Sequence, residues 1–179
     1  RLFVSILMVA AMLAPPAATR ALQSDADRYT DPAGRFSVPV PTNWTVDERD
    51  GFVVLSDPDG DVTATLIVVP GDDIEAAIEE AIVASGVSLD GFSGAPQIQE
   101  LPSERGVEET VIVTYVADDQ LSLVQAVGQR VGGDVYVMIF AGTVDAATRR
   151  NAQIQTIANG FTIGGIDAVD LSGRQPMPL

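Results

Sequence analysis

Between residues 29 and 71 the apolar positions come in short runs broken by Pro, Gly and Asp, a pattern of strands and tight turns. A short strand precedes a Pro-Ala-Gly turn at 32–34, and another strand follows around Phe36–Val38. Pro39 and Pro41 have no N–H for a ladder, so this segment is expected at a sheet edge or end. A strand from Trp44 to about Glu48 runs through an Arg49-Asp50-Gly51 turn into Phe52–Ser56. Val62–Val69 follows at hairpin distance, and Pro70-Gly71 stops it.

The period then changes. Ile74, Ile78 and Ile82 recur at i, i+4 and i+8 with Ala77 and Ala81 beside them, which predicts a helix over about 72–85 with one apolar face against a sheet. Asp72 is its expected N-cap with Glu75 three residues on, and Gly86 its C-cap. A glycine-rich loop at 86–96 leads to four predicted strands, 97–102, 108–117, 121–131 and 134–142. Gly106, Asp118-Asp119 and Gly132-Gly133 join them as an antiparallel meander.

Two of these strands set the layering. In TVIVTYV, Val111, Val113 and Tyr115 share one side while Ile112 and Val116 share the other, and VYVMIFA is apolar on both faces. Strands buried on both sides need a layer above and a layer below. A second helix, about 145–159, is expected to supply the other layer, with Asp145 near its start and Gly160 as its stop. FTI at 161–163 is a last short strand, and 164–179 reads as tail or linker. The fold class expected is α+β: a three-layer α/β/α sandwich with a mostly antiparallel sheet.

Composition narrows the chemistry. At 179 residues and 46% hydrophobic, the chain supports one domain with a real core. It has no His, no Cys and no Lys, and all ten basic residues are Arg. Ser-His and Cys-His nucleophile pairs, imidazole and thiolate metal sites, Schiff bases and Walker lysines are therefore excluded within this chain. The net charge of −15 repels nucleic acid and anionic lipid, so neither is an expected partner.

Residues 1–21 hold Arg1 and Arg20 and no acid, so the rest of the chain carries 25 acidic residues against eight arginines. A positive start, an apolar run from Leu2 to Ala14, Pro15-Pro16 and the small residues Ala17, Ala18 and Ala21 give this segment the order of a secretory signal peptide. Export by a bacterium-like cell follows, to the medium or the cell envelope, with membrane contact only through the leader if it stays uncleaved. Residues 22–28 read as a lead-in. A sequence opening on Arg1 is expected to be a fragment.

The most ligand-like stretch is LSDPDGDV, where Asp57, Asp59 and Asp61 alternate around Pro58 and Gly60. A calcium loop starting at Asp57 would need Gly at its sixth place and Glu at its twelfth, where Val62 and Val68 stand. The stretch reads as a hairpin turn, and the three aspartates remain only weak metal candidates; no cofactor is expected. GFSGA approximates a nucleophile elbow at Ser93, but it lies in a loop and has no His to serve it. Asn43-Trp44-Thr45 matches a glycosylation acceptor, in a bacterial-looking chain where a chance match is the simpler reading. Trp44 is expected in the core against Tyr136 or Phe140, and Arg149-Arg150 against surface carboxylates.

The order of hairpins, helix, meander, helix and terminal strand resembles the PsbP/Mog1-like family of α/β/α sandwich domains. The wording is similar at FSVPVPTNWTV, VVLSDPDGDVTATLIVV and NAQIQTIANGFTI, and the resemblance covers roughly residues 29–163. Photosystem II extrinsic subunits, a nuclear Ran-binding factor and exported bacterial proteins share this family. With no His, any His-based metal site of the photosynthetic members has no counterpart here. The resemblance implies an exported noncatalytic binding or assembly module with an unidentified protein or envelope partner. The alternative is an N-terminal accessory domain of a larger exported enzyme, such as a serine hydrolase.

Overall fold

The computed structural model describes residues 27–102 and 106–166. The signal-peptide reading of 1–21 falls outside them, as does most of the expected tail. In chain order the elements are β1 (Arg28–Thr30), β2 (Phe36–Pro39), β3 (Thr45–Arg49), β4 (Phe52–Ser56), β5 (Val62–Pro70), α1 (Ile74–Ser85), β6 (Gln97–Leu101), β7 (Glu109–Val116), β8 (Ser122–Val131), β9 (Asp134–Thr143), α2 (Val144–Arg149), α3 (Asn151–Gly160) and β10 (Thr162–Ile163).

Seven strands form the main sheet in the order β3-β4-β5-β9-β8-β7-β6, antiparallel throughout. One face carries α1, whose Ile74, Ala77, Ile78, Ala81 and Ile82 pack into one cluster with Val111, Val113, Val124, Ala126, Val135, Val137 and Ile139. This is the apolar stripe that the 3.6-residue spacing predicts, while Val83 on the outer side stays exposed. Gly128 lies under this helix: a Cβ there would come within 2.9 Å of Ile78 Cδ1. Its bare backbone lets the helix sit close to the sheet.

The other face is covered by a second, three-stranded sheet, β1-β2-β10, together with the α2 and α3 helices. Phe36, Val38, Ile157 and Ile163 meet Val53, Leu55, Leu66, Met138 and Phe140 in a second core. Fully buried side chains such as Leu55, Leu66 and Ile157 each gain about 2 kcal/mol from leaving water. Strand β9 separates the cores, with Val135, Val137 and Ile139 in one and Tyr136, Met138 and Phe140 in the other. The two-sided apolar pattern of VYVMIFA has this meaning. Trp44, Tyr136 and Phe140 belong to the same core. The result is the expected sandwich, with a small sheet sharing the second layer.

Local expectations needed correction. Strand β2 is the middle strand of its sheet: Ser37 pairs with both Thr30 and Thr162. Pro39 is tolerated because it ends the strand, beyond the β10 register. The cap of α1 is Asp73, whose carboxylate accepts from Ala76 N–H at 3.1 Å; Asp72 is one residue too early. The expected helix over 145–159 is two helices. They break at Arg150 (φ −95°, ψ 7°), and Thr143 caps the first through Ala146 N–H. The packed chain also continues past Ile163: Ile166 lies against the second core and beside Gly106.

Candidate functional site

The alternating aspartates come together with the paired arginines. Asp57, with only 3% of its surface exposed, accepts from Val62 N–H at 3.0 Å through Oδ1 and from Arg150 Nε–H at 2.9 Å through Oδ2. Arg150 reaches Asp59 with Nη2, and Arg149 reaches Asp61 at 3.2 Å. Burial pushes the Asp57 carboxyl up, but the Val62 N–H and the Arg150 guanidinium outweigh it and hold the group below the ordinary carboxylate range. Gly60 (φ +74°) donates to Asp57 C=O at 3.0 Å, which closes the turn. The carboxylates thus clamp the β4–β5 turn to the break between α2 and α3. Among the described residues, no group of three acidic side chains is arranged to hold a metal ion. Addition of millimolar calcium is expected to leave the melting temperature unchanged, because the inward carboxylate oxygens are already taken. A rise with a saturating dose dependence would contradict this.

Ser93 is likewise engaged. Its Oγ–H donates to Asp118 Oδ1 at 2.7 Å and its N–H to the same oxygen at 3.1 Å, while Asp118 N–H donates to Gly91 C=O. The hydroxyl pins the 86–96 loop to the β7–β8 turn. Asn43 sits in a turn with φ +67°, between buried Trp44 and Pro41 C=O, which accepts from Trp44 N–H.

A cleft opens between the β1–β2 turn and the β3–β4 hairpin, lined in part by Tyr29, Asp31, Arg35, Glu48 and Phe52. Asp31 is buried beneath Arg35, which donates to both of its oxygens at 2.8 and 2.9 Å. Burial pushes the Tyr29 hydroxyl up to about 12, helped by Glu48 as hydrogen-bond acceptor and negative neighbour. At ≈ 190 Å³ the cleft is smaller than the roughly 300 Å³ at which drug-sized ligand pockets begin. Asp31 with Arg35 and Tyr29 with Glu48 are paired within it.

The larger feature is a face. Among the described residues the second layer covers β3, β4, β5 and β9, whose inward residues fill its core, and reaches Val131 at the end of β8, but leaves most of the half formed by β8, β7 and β6 uncovered. On that side the register aligns Leu101, Thr110 and Gln129 in one row, Gln99, Ile112 and Val127 in the next, then Gln97, Thr114 and Gln125, then Val116 and Leu123. Thr110 is buried at the border with α3, Gln97, Gln99 and Val116 are exposed, and the rest are half-buried. Gln125 Nε2 donates to Thr114 Oγ1 at 3.2 Å.

None of these eleven positions is charged, in a chain of net charge −15. The acids and the arginine of the same strands sit elsewhere: Glu100 points to the α1 side, and Arg130 pairs with Glu108 and Glu109 at the strand ends. The alternation of TVIVTYV suggests burial of Ile112 and Val116, yet Val116 is 41% exposed. A strand apolar on both faces needs a cover on both faces, and among the described residues β7 has one, the α1 side.

No family model matches the chain, and none of the curated proteins matches it. Among solved structures it is similar to the cyanobacterial PsbP protein CyanoP from Synechocystis sp. PCC 6803, at 15% identity and a TM-score of 0.52, over 84% of this chain and 99% of that one. LpqN from Mycobacterium tuberculosis, a protein involved in cell envelope biogenesis, aligns at 16% identity and a TM-score of 0.40, over 72% of this chain and 83% of that one. At such identities the likeness concerns the fold, and it covers nearly the whole length of CyanoP. The two-core sandwich built by residues 27–102 and 106–166 has the PsbP-type fold.

Proposed function

We propose that this chain is an exported, noncatalytic binding or assembly module of PsbP type that meets its partner through the uncharged half-sheet of β6, β7 and β8. The observation that carries the reading is that face itself: neutral, partly apolar and without an intramolecular layer over it among the described residues. A surface that serves only solubility in an acidic protein would carry its share of carboxylates. A partner surface is instead depleted of charge at its centre.

Noncatalytic action is supported by the missing His, Cys and Lys and by the structural engagement of Ser93. Export is supported by the leader pattern of residues 1–21. Among the described residues no helix is long and apolar enough to cross a membrane.

A photo-crosslinking side chain at Gln125, in the middle of the face, is expected to give one discrete adduct in the source cell. The same group at Glu80, exposed on α1, is expected to give none. Val127→Glu should abolish the Gln125 adduct while the protein keeps a single cooperative thermal melt. Equal adducts at both positions, or none at Gln125, would overturn the reading.

A further inference from the structure

Among the described residues both outer strands of the main sheet have a free edge, and the two differ in charge. Strand β3 reads Thr-Val-Asp-Glu-Arg and β6 reads Gln-Ile-Gln-Glu-Leu, bounded by Pro96 and Pro102. Each pairs with one neighbour among the described residues, so half of its backbone N–H and C=O groups point away from the sheet.

We propose that two copies of this chain associate edge to edge through β6, across a twofold axis at Gln99. Antiparallel pairing about that residue sets Gln97 opposite Leu101 of the second copy and Ile98 opposite Glu100. Pro96 falls opposite Pro102, so the two positions without a donor meet outside the ladder and all five intervening residues are used. Shifting the axis by one residue to Glu100 would oppose two like carboxylates. The β3 edge is ruled out in the same way, since symmetric pairing there is centred on Asp47 and opposes it to itself. The favoured axis is the one that places a neutral side chain against its own copy. Joining β6 to β6 is a closed operation, which yields a dimer rather than a filament.

Such a dimer extends the sheet from seven strands to fourteen and makes the two uncharged half-faces continuous. It is independent of what those faces bind. A five-residue ladder is a small contact, so the dimer belongs among weak, concentration-dependent associations. Each copy carries a net charge of −15, so screening by salt strengthens the association where a contact made of ion pairs would weaken.

Sedimentation velocity on the full chain from about 10 to about 500 µM tests this. The mass is expected to rise from monomer to dimer with concentration, and to rise further when salt increases from about 20 to about 300 mM. Gln99→Glu and Gln99→Lys each place a like charge about 5 Å from itself across the axis. Each variant alone is expected to remain monomeric with an unchanged thermal melt, and an equimolar mixture of the two to recover the dimer. The proposal is overturned by a parent chain that stays monomeric throughout the range, by a dimer that salt dissociates, or by a mixture that stays monomeric.

Discussion

Asp57→Ala is expected to lower stability by about 3 kcal/mol, a drop of roughly 10 °C in melting temperature for a domain of this size. Two donors lose their acceptor at once: the buried Val62 N–H at the start of β5, and the half-buried Arg150 Nε–H at the break between α2 and α3. The first is a backbone group in the core, and leaving it unpaired costs about 1–3 kcal/mol. The second is discounted because the Arg150 side chain keeps 25% of its surface exposed and can turn to water or to Asp59. Asp59→Ala and Asp61→Ala, at carboxylates that are 60% and 49% exposed, should each cost under about 1 kcal/mol. A double-mutant cycle of Asp57 with Arg150 separates the two donors, and a coupling near zero would assign the whole effect to Val62 N–H.

The same carboxylate gives stability a definite pH dependence. Its folded-state pKa lies below the ordinary value, so its contribution is complete above the unfolded pKa of about 3.9 and is lost as pH falls through the folded value. The gap between the parent and Asp57→Ala should therefore be constant from neutral pH down to about 5 and narrow in the acid limb. A gap that widens on acidification would contradict the lowered pKa.

The fold was largely legible because its two main signals are local. The isoleucines at 74, 78 and 82 report a helix face, and the two-sided apolar run of β9 reports layers on both sides. The clamp was half legible. Asp57, Asp59 and Asp61 stand out as a turn and Arg149-Arg150 as partners for carboxylates, but 88 to 93 residues separate the bonded groups and only the tertiary fold brings them together. The break at Arg150 was invisible for the same reason, since helix periodicity continues through it and its partners lie in another hairpin.

The uncharged face was written in the sequence as neutral residues at alternate places in three strands. That pattern is also produced by a strand buried on both sides, and only the lack of a cover among the described residues distinguishes the two. Pro39 stands at the end of β2, where its missing N–H is tolerated, and for that reason it did not keep β2 out of the middle of its sheet.

Gly164→Ala is the second large expected effect, and its reason is backbone against backbone. A Cβ at Gly164 would stand 2.2 Å from the carbonyl oxygen of Gly34 and 3.1 Å from that of Arg35, in the turn that joins β1 to β2. That turn has little freedom to yield. Gly34 N–H donates to Asp31 C=O at 2.7 Å, and the buried Asp31 carboxylate accepts from Ala33 N–H, from Arg35 N–H and from the Arg35 guanidinium. Gly164 N–H in turn donates to Arg35 C=O at 2.6 Å, so any retreat breaks the bond that holds the end of β10 in place. Overpacking at a contact that cannot relax costs about 3 kcal/mol.

Gly165, one residue on, is a control with a different physics: its φ is +80° but nothing lies within 4 Å of its Cβ position, so Gly165→Ala should cost only about 1 kcal/mol of backbone strain. Gly160→Ala falls between them, because the obstacle at 2.4 Å is the ring of Pro39, a side chain at the end of β2 that can shift with its strand end. The order Gly164, Gly160, Gly165 in loss of melting temperature is the expected result. Equal losses at Gly164 and Gly165 would mean that the β1–β2 turn gives way, and that the Asp31–Arg35 pair does not hold it rigid.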